Sequence, residues 1–206
     1  MFRWVSILIF YILFCGVQSS LRAQDSTETI TVYFLYGSRP SAGAAGSIEK
    51  HLFGGIHGGH VSIGIDNTVI GFHHLQGMHL FPHRKNYDGA YECIPLAAFL
   101  KDTISKQYAT IEVPLSLGQY QALKVVIKSY LNQTPYDYAF FGMRCTAATY
   151  EILSSIHLLK HKSRFGIIIS NFYPRKLRKR MFKIAADKNY PICFKAGRVS
   201  RVWEKD

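Results

Sequence analysis

One cysteine stands where a helix is predicted to begin, and a thiol in that position can act as a nucleophile. The segment GMRCTAATYEIL places Cys145 after an irregular, glycine-containing stretch and next to Arg144. The free N–H groups and partial positive charge of a helix N-terminus favour the thiolate, and they can also bind the oxyanion of a tetrahedral intermediate. Cysteine is also a common core residue, so a purely structural role for Cys145 is the alternative.

A histidine that could act as the matching base opens a predicted strand. His60 is the first residue of HVSIGI, and it follows Gly58 and Gly59, which leave room for a substrate or another chain segment. An imidazole takes up and returns one proton near neutral pH, as acyl transfer through a cysteine requires. The sequence therefore predicts that the Cys145 sulfur lies within hydrogen-bonding reach of a His60 ring nitrogen, or within one side-chain rotation of it.

The hairpin that carries His60 also supplies a third polar residue. HVSIGI and TVIGFHH flank Asp66 and Asn67, which tolerate the backbone of a tight turn. A two-residue turn sets His60 opposite His73, whereas a three-residue turn sets it opposite His74. Directly opposed residues share one face of a sheet. We therefore expect His73 or His74 to orient the base and fix its tautomer.

A metal site is the competing interpretation of this histidine-rich region. Imidazole is the commonest zinc ligand, but the sequence contains neither HExxH nor CxxC, and carboxylates are scarce nearby. We therefore predict no metal and no cofactor, with His79 and His83 as exposed loop residues. The histidines concerned are His57, His60, His73, His74, His79 and His83.

The elements around these residues predict one α+β domain. ETITVYFLYGS and YATIEVPL have the alternation of strands, and SLGQYQALKVVIKSYLNQ reads as a helix capped by Ser116 that ends near Asn132. A further helix is predicted over CTAATYEILSSIHLLKHK. Residues 24–206 contain no repeat and no low-complexity linker, so we expect a single domain.

The N-terminus predicts export. Arg3 precedes an apolar run and small polar residues, which is typical of a secretory signal peptide over residues 1–23. The run is too short to span a bilayer, so we expect a protein of the periplasm, cell envelope or extracellular space. The remaining cysteines are Cys93, Cys145 and Cys193, an odd number, which predicts at least one free or intermolecular thiol.

The positive charge has a local concentration near the C-terminus. The chain has a formal net charge of +12, and residues 174–183, PRKLRKRMFK, form a predicted basic helix. In a cell envelope such a helix could contact anionic polymer or lipid, whereas export makes nucleic acid an improbable partner. The alternative is an ordinary helix with a solvated charged face and a buried apolar side.

The ordered motifs resemble a known family. GGHVSIGID, a histidine at the end of the next strand, and a distant RCTAATYEIL are similar to the circularly permuted branch of the NlpC-type papain-like cysteine hydrolases. That branch includes lecithin retinol acyltransferase-like proteins and bacterial envelope proteins. The resemblance covers roughly residues 30–155 and implies a papain-like antiparallel sheet or small barrel packed against helices. It implies Cys145 as nucleophile, His60 as general base and His73 or His74 as the orienting residue.

Three functions follow as expectations. The first is an exported cysteine hydrolase that cleaves an amide bond, for example in a cell-wall peptide such as peptidoglycan, through a thioester. The second is an acyltransferase or thioesterase acting on lipid-like substrates with the same residues. The third is a non-catalytic envelope binding module that uses the basic helix.

Overall fold

The structure, a computed structural model, describes residues 27–36, 59–85 and 87–197. In these ranges the chain forms six strands and five helices, which confirms the α+β class. The strands are β1 (Thr27–Leu35), β2 (His60–Ile65), β3 (Thr68–His74), β4 (Gly89–Pro95), β5 (Tyr108–Ser116) and β6 (Ile192–Lys195). The helices are α1 (Leu96–Asp102), α2 (Leu117–Asn132), α3 (Cys145–Ser155), α4 (Arg164–Ser170) and α5 (Pro174–Lys188).

All strands join one antiparallel sheet in the order β4-β3-β2-β1-β5-β6. Within the described ranges the end strands β4 and β6 do not pair with each other. The sheet is therefore open, and the expectation of a small barrel is wrong. The expectation of an antiparallel sheet packed against helices is confirmed.

The two faces of the sheet are covered differently. Alternate residues such as Phe34, Val61 and Ile111 point into the larger core, where α2, α3, α4 and α5 pack. The other face has a smaller cluster, in which Phe99 of α1 packs with Tyr33, Leu35 and Val69. Because strand side chains alternate between faces, each side chain can be assigned to one of these two surfaces. We call them the α3 face and the α1 face.

The β2–β3 hairpin has the predicted two-residue turn, because Ile65 pairs with Thr68. Asp66 adopts a left-handed backbone with φ of 51°, which a tight hairpin turn requires. Its carboxylate accepts hydrogen bonds from the Tyr120 hydroxyl and, at 3.2 Å, from the Lys124 ammonium. These contacts fasten the turn to α2.

The predicted helices are present with one change of length. Ser116 begins α2 in a capping box with Gln119, and the helix ends at Asn132 as expected. The helix that starts at Cys145 ends at Ser155, well before the predicted end near residue 162. His157 has φ of 59°, and this left-handed residue turns the chain away from the helix axis.

The basic segment forms α5, with Leu177 and Met181 in the core. Lys176 and Lys183 are exposed, as a solvated face predicts. Arg178 departs from that pattern, because it is 1% exposed and its guanidinium lies 4.1 Å from the Tyr36 ring centroid. Part of the positive charge on this helix is therefore structural.

The predicted signal peptide over residues 1–23 lies outside the described residues, as do His57 and Gly58. Of the helices that the structure describes, none is both long and apolar enough to cross a membrane. None of the three described cysteines, Cys93, Cys145 and Cys193, forms a disulfide.

Candidate functional site

His60 and His73 meet across the hairpin, as the two-residue turn predicts. Their rings are stacked, with centroids 4.2 Å apart and planes inclined by 24°. Both lie on the α1 face, because His60 pairs with Leu35 of β1 and Leu35 belongs to the α1 cluster. Gly71, on the same face, leaves space for the pair: a Cβ there would lie 2.6 Å from His73 Nε2 and 2.8 Å from His60 Nε2.

A cavity of about 460 Å³ opens between this histidine pair and α1. It is lined by the two rings with Ser62 and Gly71, and by charged side chains such as Glu92 and Lys106. The Nε2 atom of His60 is buried and has no hydrogen-bond partner among the described residues. His60 lines this cavity, so a buried nitrogen without a hydrogen-bond partner among the described residues lies within the cavity wall.

Both imidazoles in this cavity are neutral at pH 7. Burial lowers the pKa of His60 to about 4, with a smaller contribution from the positive charge of Lys106. Burial likewise lowers the pKa of His73 to about 4, and proximity to His60 lowers it further. Glu92 opposes both shifts. Each ring can therefore donate from one nitrogen and accept at the other.

Cys145 occupies the first position of α3, as predicted, and is 4% exposed. Its sulfur lies 3.9 Å from the Thr146 hydroxyl, and Tyr138 lies beside it. Burial raises the pKa of the Tyr138 hydroxyl, and the Cys145 thiol raises it further, whereas Arg144 and the Cys145 backbone N–H act in the opposite direction. Tyr138 is therefore a protonated hydroxyl next to the thiol.

The α3 face also holds His74, which follows Phe72 by two residues on the same side of β3. The His74 ring meets Tyr138 edge-on, with centroids 5.5 Å apart. Gly89 permits this approach, because a Cβ at that position would lie 2.8 Å from the Tyr138 backbone nitrogen. Tyr138 thus contacts the His74 ring and also lies beside Cys145 at this end of the sheet.

Arg144 precedes the thiol and is held by aromatic rings instead of a carboxylate. Its guanidinium carbon lies 3.7 Å from the Phe172 ring centroid and 5.4 Å from that of Phe140. Burial lowers the pKa of Arg144. Its Nη2 atom is buried and has no hydrogen-bond partner in the described part of the chain. A positive charge is therefore held close to the start of α3, and no carboxylate of the described residues forms a salt bridge with it.

The structure does not bring Cys145 and His60 together as the sequence predicts. The His60 ring lies on the α1 face, whereas α3 packs on the opposite face, where the Thr149 hydroxyl of α3 reaches the Val61 carbonyl at 3.5 Å. Among the hydrogen bonds of the described residues, none joins the Cys145 sulfur to an imidazole. The reason is that side chains alternate between the two faces of a strand. Val61 therefore points toward α3, and its neighbour His60 points away from it.

Two features of this region were not predicted from the sequence. Tyr138 lies in the irregular stretch TPYDYAFFGMR, and only its closeness to Cys145 in the sequence gave a signal. His79, predicted to be an exposed loop residue, is half-buried, and its Nδ1 lies 2.6 Å from an oxygen of Asp137. One potential ligand atom from each of His79, His83 and Asp137 lies within 4.8 Å of the others, so these residues could hold a metal ion.

Comparison with protein-family models, with curated proteins and with solved structures gives no match.

Proposed function

We propose that the protein is an exported cysteine hydrolase, related to the permuted NlpC-type papain-like enzymes, that cleaves an amide bond through a thioester on Cys145. The observation that carries the proposal is the position of the thiol. Cys145 begins an 11-residue helix, with the Tyr138 hydroxyl beside it. The backbone N–H groups at the helix start and the Tyr138 hydroxyl are donors for an oxyanion.

The chemistry divides into two steps. The Cys145 sulfur attacks the carbonyl carbon, its proton passes to an imidazole, and the oxyanion is bound by the Cys145 backbone N–H and the Tyr138 hydroxyl. The imidazole then protonates the departing amine, which leaves a thioester. Water, deprotonated by the same imidazole, releases the acid and restores the thiol.

We assign the imidazole to His74, because it contacts Tyr138 on the thiol's side of the sheet. The family resemblance instead implies His60, which starts β2 at the same end of the sheet but faces α1. In our assignment His60 and His73 form a neutral pair separate from the reaction. The two assignments predict different variants to be inactive.

The substrate class follows from the predicted export. A peptide of the cell wall carries amide bonds and would be within reach of an exported hydrolase. Ester and lipid-like acyl substrates would form the same thioester, so acyl transfer is the second reaction of this site. For both amide hydrolysis and acyl transfer, we expect the Cys145→Ser variant to lose activity.

Thiol labelling tests the nucleophile and the base together. We expect iodoacetamide to modify the buried Cys145 at least about tenfold faster than the exposed Cys93 and Cys193. His74→Ala should slow that reaction, and His60→Ala should leave it unchanged. Equal labelling of the three thiols would contradict the nucleophile. Slowing by His60→Ala but not by His74→Ala would contradict only our choice of base.

The exposed face of α5 supports a second property, contact with an anionic envelope polymer or lipid surface. Lys176, Lys179 and Lys183 are exposed and recur at helical spacing, while Leu177 and Met181 anchor the opposite side. We expect the protein to sediment with vesicles of anionic lipid and not with neutral ones. Lys176→Glu/Lys183→Glu should abolish sedimentation, whereas the matched Lys101→Glu/Lys128→Glu should retain it. Equal loss in both double variants would refute a specific role for α5.

A further inference from the structure

We propose that His79, His83 and Asp137 form a binding site for a divalent transition-metal ion of the zinc type. The site lies between the loop that connects β3 to β4 and the segment that leads into α3. Binding of an ion at this site does not require the proposed hydrolase activity. It also departs from the sequence-based expectation that this chain binds no metal.

The three side chains converge on one point. One potential ligand atom from each lies within 4.8 Å of the other two, and His79 Nδ1 is 2.6 Å from Asp137 Oδ2. The imidazole rings of His79 and His83 are stacked, with centroids 3.8 Å apart and planes inclined by 23°. Small side-chain rotations are therefore enough to direct two nitrogens and one oxygen at a single ion.

The carboxylate is fixed in place by the backbone. Asp137 is 1% exposed, and it accepts hydrogen bonds from the backbone N–H of His83 at 2.8 Å and of Asp88 at 2.7 Å. Burial raises the pKa of Asp137, but these bonds and the one from His79 outweigh that effect and keep it below its usual range. A negative charge is thus held in position for a cation.

The donor set selects the class of ion. Imidazole nitrogens with one carboxylate oxygen suit zinc and its neighbours in the first transition row, whereas magnesium and calcium prefer oxygen ligands alone. The ion would take the place of the proton that His79 Nδ1 shares with Asp137, and the neutral His79 ring would then carry its proton on Nε2. His83 is exposed, so water can complete the coordination shell.

The bound ion would strengthen an existing connection between two chain segments. The backbone N–H groups of Phe140 and Phe141 already donate to the carbonyls of His79 and Leu80, at 2.7 and 2.9 Å. Tyr138 lies between Asp137 and these residues. An ion at this site would therefore stabilise the segment that places Tyr138 beside Cys145.

Metal binding to the untagged full chain tests the proposal. We expect equilibrium dialysis against Zn²⁺ to give about one ion per chain, and Mg²⁺ to give none. Co²⁺ should give visible absorption bands that Zn²⁺ displaces. His83→Ala, which alters an exposed ring, should weaken Zn²⁺ binding at least about tenfold. Asp137→Asn should weaken it as well.

Two controls separate this site from other ligands. His161→Ala removes an exposed histidine elsewhere, and Cys145→Ser removes the buried thiol; both should bind Zn²⁺ as the unmodified chain does. Absence of Zn²⁺ binding to the unmodified chain would overturn the proposal. Unchanged affinity in His83→Ala, or loss of binding in Cys145→Ser, would also overturn it.

Discussion

His60 and His73 stack across the β2–β3 hairpin at a centroid distance of 4.2 Å, and the thiol of Cys145 lies on the other face of the same sheet. The histidine pair and the thiol therefore occupy two separate environments at one end of the sheet. The first is a cavity with neutral imidazoles. The second is the start of α3, where the Tyr138 hydroxyl lies beside the thiol.

The neutral histidine pair predicts a stability that falls in mild acid. The pKa of each ring is about 4 in the folded chain against an ordinary value of 6.5. Between these pH values the unfolded chain binds more protons, so stability is complete above about pH 6.5 and is lost as the pH falls toward 4. We expect the free energy of unfolding, measured by urea denaturation, to drop by about 2 kcal/mol for each ring, or about 4 kcal/mol for the pair, from pH 7.5 to 5.

Two variants distinguish this linkage from general acid destabilisation. His73→Gln removes one titrating ring and should reduce the pH dependence to about half. His161→Gln removes an exposed histidine and should leave it unchanged. The linkage would be refuted by identical pH slopes in His73→Gln and the unmodified chain.

A substitution at Gly71 tests how tightly the His60 and His73 rings are packed. In Gly71→Ala the new methyl group would lie under 3 Å from both histidine Nε2 atoms, so one ring must move. We expect a loss of about 1–3 kcal/mol in the free energy of unfolding and a changed histidine ring signal in NMR. Gly77→Ala is the matched control, because a Cβ there would meet nothing within 4 Å. Equal stability of the two variants would mean that the rings are not confined.

The register of the β2–β3 hairpin could be predicted from the sequence, because it depends on the residues of the turn alone. Asp66 and Asn67 determine the turn length, and a two-residue turn then sets His60 opposite His73 without any tertiary information. The capping box at Ser116 is equally local, and it begins α2 as predicted. The short elements β4, α1 and α4 were not predicted, because their residues lack a clear period and tertiary packing determines their form.

The position of Cys145 relative to His60 could not be predicted, because no local signal states which face of the sheet α3 covers. Alternation places His60 and Val61 on opposite faces, but the choice between those faces is made by the whole core. The pairing of His79 with Asp137 spans 58 positions and depends on how two loops meet. Such long-range contacts leave no pattern in a single sequence.

The last prediction concerns the contact between the hairpin turn and α2. Asp66 accepts a hydrogen bond from the Tyr120 hydroxyl, and this bond raises the pKa of Tyr120 to about 12. Asp66→Asn and Tyr120→Phe should each destabilise the fold, and a double-mutant cycle should give a coupling free energy of about 1 kcal/mol. Spectrophotometric titration of the Asp66→Asn variant should show one tyrosine that ionises at lower pH than in the unmodified chain. Lys124→Met removes the neighbouring ammonium but keeps the tyrosine bond, so it should preserve most of the coupling. Additive effects of Asp66→Asn and Tyr120→Phe would show that the two side chains do not interact in solution.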